Sequence, residues 1–269
     1  MTWHDQYQME RPSLRQAPLT RGFLITGVVV YLLQVFFISV LRSGWFDLTF
    51  GLSVAGIQLG HLWQLVSYMF LHGSPMHLLL NGIALFFFGP ELERFMGRTR
   101  YATVFFLCGI LGGLGWFLMT YPTEGLCVGM SGAIFGLLGA FAALFPNREV
   151  VLLLFFVIPV RMKAWVMVAG LGAFQLLMTL NPSHGGIAYS AHLAGGLAGY
   201  LYAMTLLNEP PAWVRSIMGA AHRRTGVATR SPATPEAEIN RILDKIASQG
   251  IHTLTAKERD QLRNAGRKR

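Results

Sequence analysis

Charged residues are scarce in this chain: Asp, Glu, Lys and Arg together make up 13% of its 269 residues, whereas hydrophobic residues make up 53%. A soluble domain of similar length carries roughly twice that share of charge, because its surface must be covered by groups that water solvates. The scarcity therefore excludes an ordinary soluble protein. It predicts a chain that crosses a membrane several times.

Cysteine is nearly absent as well. Cys108 and Cys127 have no metal-ligand spacing between or around them, so the sequence supports neither a disulfide framework nor a zinc site. We expect no metal and no cofactor. The formal net charge is +9, but the positive residues fall in short loops and in a tail beside the hydrophobic runs. That placement is typical of orientation signals in membrane proteins and argues against nucleic-acid binding.

The hydrophobic runs predict an all-α integral membrane protein, a bundle of six transmembrane helices within residues 22–207. A helix needs about 20 residues to cross a hydrocarbon core of about 30 Å. The apolar segment 150–160 is too short to cross, and we interpret it as an interfacial or buried extended piece. The predicted spans are 22–41, 76–89, 101–121, 127–145, 164–180 and 187–207, the second ending at Gly89-Pro90.

Loop charges predict the orientation of these spans. In the six-span interpretation the clusters of Lys and Arg all fall on one side of the membrane, which the positive-inside rule identifies as cytosolic. Both termini are then cytosolic, as suits a bacterial inner (plasma) membrane protein. Residues 1–21 form a leader, 208–233 a basic linker and 234–269 a small helical hairpin whose second helix starts with a capping box from Thr255 to Glu258.

Ser131 lies in a stretch from which side chains are largely missing. A lone serine in a membrane helix usually bonds the carbonyl one turn earlier and has no further role. Here glycines surround it and create a face on which another backbone can approach closely; they are Gly129, Gly132, Gly136 and Gly139.

His192 has a similar bare face, because Gly195 and Gly199 follow it at i+3 and i+7. A serine and a histidine on two glycine-faced helices can come within hydrogen-bonding reach, as a nucleophile and its general base must. Our interpretation puts both about one turn into their spans from the outer face, so that the site opens outward.

Three further polar residues, His72, His77 and Asn81, fall at the outer end of the second predicted span. His77 and Asn81 are four residues apart, so they lie on one helical face. Histidine and asparagine are costly inside a membrane and indicate function. With the Ser131 backbone N–H, these two donors could hold the oxyanion of a tetrahedral acyl intermediate. For His72 the structural interpretation is favoured, with its ring bonded to loop backbone.

Carboxylates are missing from the outer half of every predicted span. No Asp or Glu is therefore available to orient His192, and packing has to do so. The sequence thus predicts a Ser-His dyad, in which a neutral imidazole takes the serine proton and then protonates the leaving amine.

Taken together, these motifs resemble those of the rhomboid intramembrane serine proteases. The resemblance covers roughly residues 56–206 and rests on HGSPMHLLLN at 72–81, ERFMG at 93–97, GMSG at 129–132 and AHLAGGLAG at 191–199. It implies that Ser131 is the nucleophile and His192 the general base and acid. It also implies an oxyanion hole of His77, Asn81 and the Ser131 amide, a supporting role for His72, and a substrate that is a single-pass membrane protein.

The chain departs from some relatives at two positions. Gln64 follows Trp63 where they have arginine, and Phe135 stands one turn after the serine where they have tyrosine. Phenylalanine keeps a ring to stack under the imidazole but removes a phenolic hydrogen bond. The main alternative function is a proteolytically silent rhomboid-like binder of transmembrane helices. Such relatives typically lack the serine or the histidine, and this chain has both.

Overall fold

The computed structural model describes residues 13–154, 158–180 and 188–207, together with separate positions between 242 and 265. The chain divides into two units, Met1–Glu209 and Pro210–Arg269. The described part of the first unit is mostly helical, but it also contains two small β-sheets. The all-α expectation is therefore corrected to mostly α.

The helices of the first unit vary widely in length, and a 3-10 turn, Tyr68–Phe70, follows the fourth. In chain order they are α1 Pro18–Ser39, α2 Trp45–Phe50, α3 Val54–Gln58, α4 Gln64–Ser67, α5 Pro75–Met96, α6 Arg98–Thr120, α7 Ser131–Leu144, α8 Ala164–Leu180 and α9 Tyr189–Leu207.

Both sheets are antiparallel pairs of strands. β1, Leu52–Ser53, pairs with β2, Leu126–Cys127, and so ties the loop after α1 to the segment that precedes Ser131. β3, Glu149–Leu154, pairs with β4, Ile158–Lys163. The segment expected to be extended at 150–160 is thus extended, and its backbone is paired in two strands. Extended backbone must find hydrogen-bond partners, and here the segment satisfies its own by folding back.

Within the described residues, α1 and α6 are each long and apolar enough to cross a membrane. The pair formed by residues 64–70 and α5 passes the same test together, although the two parts are bent by 94°. α7 and α8 are apolar but shorter. These helices carry the apolar surface that an integral membrane protein needs, while the count of six spans stays a prediction.

Pro90 does not end the second predicted span, contrary to expectation. α5 continues through it to Met96. Proline removes one backbone hydrogen bond and costs about 3 kcal/mol in a helix interior, so tertiary contacts must hold the last turns. Gly89 allows such contact, because a Cβ at this position would lie 2.6 Å from Cγ2 of Thr20 and 2.8 Å from the hydroxyl oxygen of Tyr101.

Glu93 joins the end of α5 to the start of α1. Its carboxylate accepts hydrogen bonds from the backbone N–H of Leu19 at 3.0 Å, the backbone N–H of Thr20 at 2.8 Å and the Thr20 hydroxyl at 2.9 Å. The first N–H groups of a helix have no partner within the helix and attract negative charge. Glu93 is buried, so this carboxylate caps α1 from another helix.

The loop between α1 and α5 is organised by Gln64. Its side-chain oxygen accepts hydrogen bonds from the backbone N–H of Ser53 at 3.0 Å and from the Ser53 hydroxyl at 3.1 Å. Its side-chain nitrogen lies 3.1 Å from the carbonyl oxygen of Leu48 and 3.3 Å from that of Thr49. Gln64 thus bonds two stretches of loop backbone with a neutral amide.

α6, α7 and α9 form the closest-packed part of the core, and glycine makes the approach possible. A Cβ on Gly195 would collide with the carbonyl oxygen of Gly132, and one on Gly199 with that of Gly136. A Cβ on Gly112 would lie 2.9 Å from the carbonyl oxygen of Ala191. Backbone therefore meets backbone between these helices, as expected from the glycine-faced segments.

The described positions of the tail include the predicted capping box. The Thr255 backbone N–H donates to Glu258 Oε2 at 2.8 Å, and the Glu258 backbone N–H donates to the Thr255 hydroxyl oxygen at 3.3 Å. Lys245 lies 3.0 Å from the same carboxylate. These bonds hold the pKa of Glu258 down at about 2, chiefly through the Thr255 backbone N–H.

We expect Glu93→Gln to lower the free energy of unfolding by about 1.5–3 kcal/mol, because one of the two buried acceptor oxygens is replaced by an NH2 group that faces hydrogen-bond donors. Thermal unfolding in detergent measures the change. Glu91→Gln is the matched control on the same helix, since Glu91 pairs with the half-exposed Arg148 at 3.5 Å and such pairs contribute about 0–1 kcal/mol. Equal effects of the two substitutions would contradict the capping role of Glu93.

Candidate active site

Ser131 is the first residue of α7, so the expectation that it lies one turn into its span is wrong. The chain from β2 reaches Gly129, which has φ of +120° and donates its N–H to the carbonyl oxygen of Tyr68 at 2.9 Å. That backbone conformation interrupts any helix, so α7 starts only after it. Ser131 has no preceding helical turn whose carbonyl its hydroxyl could bond.

The Ser131 hydroxyl oxygen lies 2.7 Å from Nε2 of His192. His192 is the fourth residue of α9, one turn from its start, as the sequence indicated. The two side chains belong to helices that pack through glycine, and the imidazole is buried. The structure therefore brings together the serine and the histidine that were singled out, with the hydrogen bond that a nucleophile and its base require.

Two neighbours fix the imidazole of His192. Phe135, one turn after Ser131, stacks on the ring with centroids 4.4 Å apart and planes 4° from parallel. The side-chain oxygen of Gln175, on α8, lies 3.0 Å from Nδ1. The stacking was expected from the sequence, whereas the contact with Gln175 was not, because the usual partner that orients a catalytic histidine is a carboxylate. The sequence feature that indicates a role for Gln175 is its polar side chain within the otherwise apolar predicted span, where polar groups are costly.

His77 and Asn81 face the backbone just before Ser131. A Cβ on Gly129 would lie 2.6 Å from Cε1 and 2.7 Å from Nε2 of His77, and 3.6 Å from the side-chain nitrogen of Asn81. Asn81 is buried, and that nitrogen has no hydrogen-bond partner within the described part of the chain. An unpaired buried donor is costly, so its position beside Gly129, two residues before Ser131, fits a group kept for a ligand.

His72 is buried, and neither ring nitrogen has a hydrogen bond of standard geometry among the described residues. The ring still interacts with the backbone of Phe70, in the loop that was expected to bond it. The backbone of His72 is held as well, since its N–H donates to the Gln34 side-chain oxygen at 2.8 Å and its carbonyl lies 3.4 Å from the Gln34 nitrogen. The ring packs edge-on against His77, with centroids 5.2 Å apart. His72 thus contacts His77 and supports it by packing.

Residues 59–209 match the family model described as the Rhomboid domain. The chain therefore belongs to the rhomboid family, and with it to the helical integral membrane proteins. Residues 232–268 match a second model, a family of unknown function (DUF6576).

Similar proteins carry names from the same family. The chain is 35% identical over 159 residues to "Putative rhomboid protease YdcA" of Bacillus subtilis. This match covers 58% of this chain and 73% of that protein. It is 34% identical over 150 residues to "Rhomboid protein 1, mitochondrial" of Saccharomyces cerevisiae, covering 52% of this chain and 40% of that protein. It is 30% identical over 158 residues to "Rhomboid protease GluP" of Bacillus subtilis, covering 57% of this chain and 27% of that protein.

We expect Gly129→Ala to slow covalent labelling of Ser131 by a serine-directed inhibitor about a hundredfold, the order of loss that follows from displacing a reacting group by about 1 Å. The added Cβ would strain a backbone with φ of +120° and press on the His77 ring.

Gly73→Ala is the control for this substitution, because its Cβ would meet only Cγ2 of Val128, at an ordinary 3.8 Å. The labelling rate of each purified protein is measured by mass spectrometry. A Gly129→Ala protein labelled at the wild-type rate would show that the backbone at this position does not align the site.

Proposed function

We propose that this chain is an intramembrane serine protease that hydrolyses peptide bonds in or near the transmembrane helices of membrane proteins. The observation that carries the proposal is the 2.7 Å contact between the Ser131 hydroxyl oxygen and His192 Nε2. Membership of a family in which relatives are named proteases supports the same activity class.

In the proposed reaction, His192 Nε2 takes the Ser131 proton as the serine oxygen attacks the carbonyl carbon of the scissile bond. The imidazolium then gives this proton to the leaving amine, which departs and leaves an acyl-enzyme. Water, deprotonated by the same nitrogen, attacks the ester and releases the acid product. Ser131 and His192 return to their starting protonation states.

The tetrahedral intermediates place negative charge on the carbonyl oxygen, and three donors are available for it. Ser131 begins α7, and the first N–H groups of a helix have no partner within the helix, so its backbone amide is free to donate. The unpaired Asn81 nitrogen and the His77 ring lie beside the same backbone. We assign the oxyanion hole to these groups.

The proposed orientation puts both termini in the cytosol and opens the site to the outer face of a bacterial inner membrane. It rests on the distribution of Lys and Arg over six proposed spans. Proteolysis below the membrane surface needs water, and polar groups are tolerated at that depth where they line a hydrated cavity. A substrate helix must unwind near its outer end to present an extended backbone to Ser131.

We expect Ser131→Ala and His192→Ala each to lower cleavage of a model transmembrane substrate by at least about a thousandfold, because the two groups act as one unit. Cleavage in liposomes is followed by gel electrophoresis, and labelling by a serine-directed inhibitor is measured in parallel. Ser190→Ala, which removes a hydroxyl two residues before His192, is the control and should cleave normally. Wild-type cleavage by either of the first two variants would overturn the dyad.

Asn81→Ala should slow cleavage by about a hundred- to a thousandfold, the loss found when one preorganised oxyanion donor is removed. Labelling of Ser131 should remain detectable, because the dyad is intact. Asn147→Ala, an exposed asparagine after α7, is the matched control. Thermal unfolding separates catalysis from packing. If the Asn81→Ala variant cleaves at the wild-type rate, Asn81 is assigned to helix packing. The same assignment follows if its loss of thermal stability accounts for its loss of cleavage rate.

A further inference from the structure

Gln175 is a polar residue that is buried on the otherwise apolar helix α8. Of the residues of α8, Ala164, Met167 and Gln175 are buried. The apolar side chains on either side of Gln175 are turned outward: Phe174 and Leu176 are each 49% exposed and Leu177 is 63% exposed. Around Gln175 the helix thus exposes the neighbouring apolar side chains and buries the amide.

The buried amide bonds the imidazole of His192 on the nitrogen opposite to Ser131. Gln175 Oε1 lies 3.0 Å from Nδ1, and the Ser131 hydroxyl oxygen lies 2.7 Å from Nε2. An amide oxygen accepts hydrogen bonds and cannot donate them. In this orientation of the amide Nδ1 carries the proton, and in a neutral imidazole Nε2 is then left with the lone pair that faces Ser131.

We propose that Gln175 is a positioning residue that selects the reactive tautomer of His192. The proposal rests on the proposed protease function, in which Nε2 is the base. Gln175 lies on the ring nitrogen opposite to Ser131 and acts through the histidine ring. The other tautomer carries its proton on Nε2, donates it to the Ser131 oxygen and cannot take the serine proton.

Phe135 and Gln175 restrict different motions of the ring. Stacking on Phe135, with planes 4° apart, fixes the ring plane but leaves both tautomers equally well packed. The bond to Gln175 distinguishes the two ring nitrogens, because only a protonated Nδ1 satisfies the amide oxygen. The tautomer therefore depends on α8 and not on the helices that carry Ser131 and His192.

The test compares three full-length variants reconstituted in liposomes. Gln175→Met keeps the length of the side chain and removes the acceptor. Gln175→Glu restores a carbonyl acceptor, whether ionised or protonated. Leu176→Met introduces the same residue at the next, exposed position and is the control.

The turnover number and KM are measured with a fluorogenic transmembrane peptide. The tautomer of His192 is read from nitrogen chemical shifts of 15N-histidine-labelled protein in a Ser131→Ala background, with His192→Gln identifying the signal.

We expect Gln175→Met to lower the turnover number about tenfold with KM within about twofold of wild type, a change that corresponds to about 1.4 kcal/mol in the barrier. The nitrogen chemical shifts of His192 in this variant should no longer be those of the Nδ1–H tautomer alone. Gln175→Glu should recover turnover to within about threefold of wild type, and Leu176→Met should behave as wild type. If Gln175→Met does not fold, Gln175→Leu takes its place with the same two measurements.

An unchanged His192 tautomer or an unchanged turnover number in the acceptor-free variant would overturn the proposal. So would a Gln175→Glu variant as impaired as Gln175→Met. Failure of the protease assignment gives a different result, in which the wild-type protein itself does not cleave the peptide. The tautomer measurement needs no turnover, so the histidine–glutamine bond is tested in either case.

Discussion

The structure depends on backbone-to-backbone contact between α7 and α9. Along this contact Gly195 faces the carbonyl of Gly132 and Gly199 faces that of Gly136, with no room for a Cβ. Lipid offers no hydrophobic driving force for helices to associate, so close van der Waals packing has to supply it. The same close approach brings His192, three residues before Gly195, to the start of α7. The glycine contact that packs α7 against α9 is therefore also the contact that brings the proposed catalytic residues together.

The residues of the candidate site lie at or near the first turns of helices rather than in the middle of the helices. Ser131 starts α7 because Gly129 interrupts the preceding backbone, and His192 lies one turn into α9. α5 begins nearby, where Ser74 caps it by accepting the N–H of His77 at 3.1 Å. Helix starts supply free N–H groups and a partial positive charge, both of which suit a developing oxyanion.

Much of this site could be predicted from the sequence, because its residues lie in short local patterns. Glycine spacing selected Ser131 and His192, and the i, i+4 relation paired His77 with Asn81. The exact start of α7 could not be predicted in the same way, because it depends on the dihedral angle of Gly129. The passage of α5 through Pro90 was also missed, since it depends on contacts of Gly89 and Glu93 with α1 that are distant in sequence.

Gln175 was missed for a related reason, and it supplies a physical account of how the proposed Ser-His dyad works without a carboxylate. A buried carboxylate beside His192 would stabilise the imidazolium, but it would also carry a charge into a low-dielectric region at a cost of several kcal/mol. An amide oxygen orients the same nitrogen while remaining neutral. Phe135 covers the face of the ring without adding a charge either. The described surroundings of the ring therefore add no charge to the candidate site. In the proposed reaction, charge forms there only as the serine proton is transferred and the oxyanion develops opposite it.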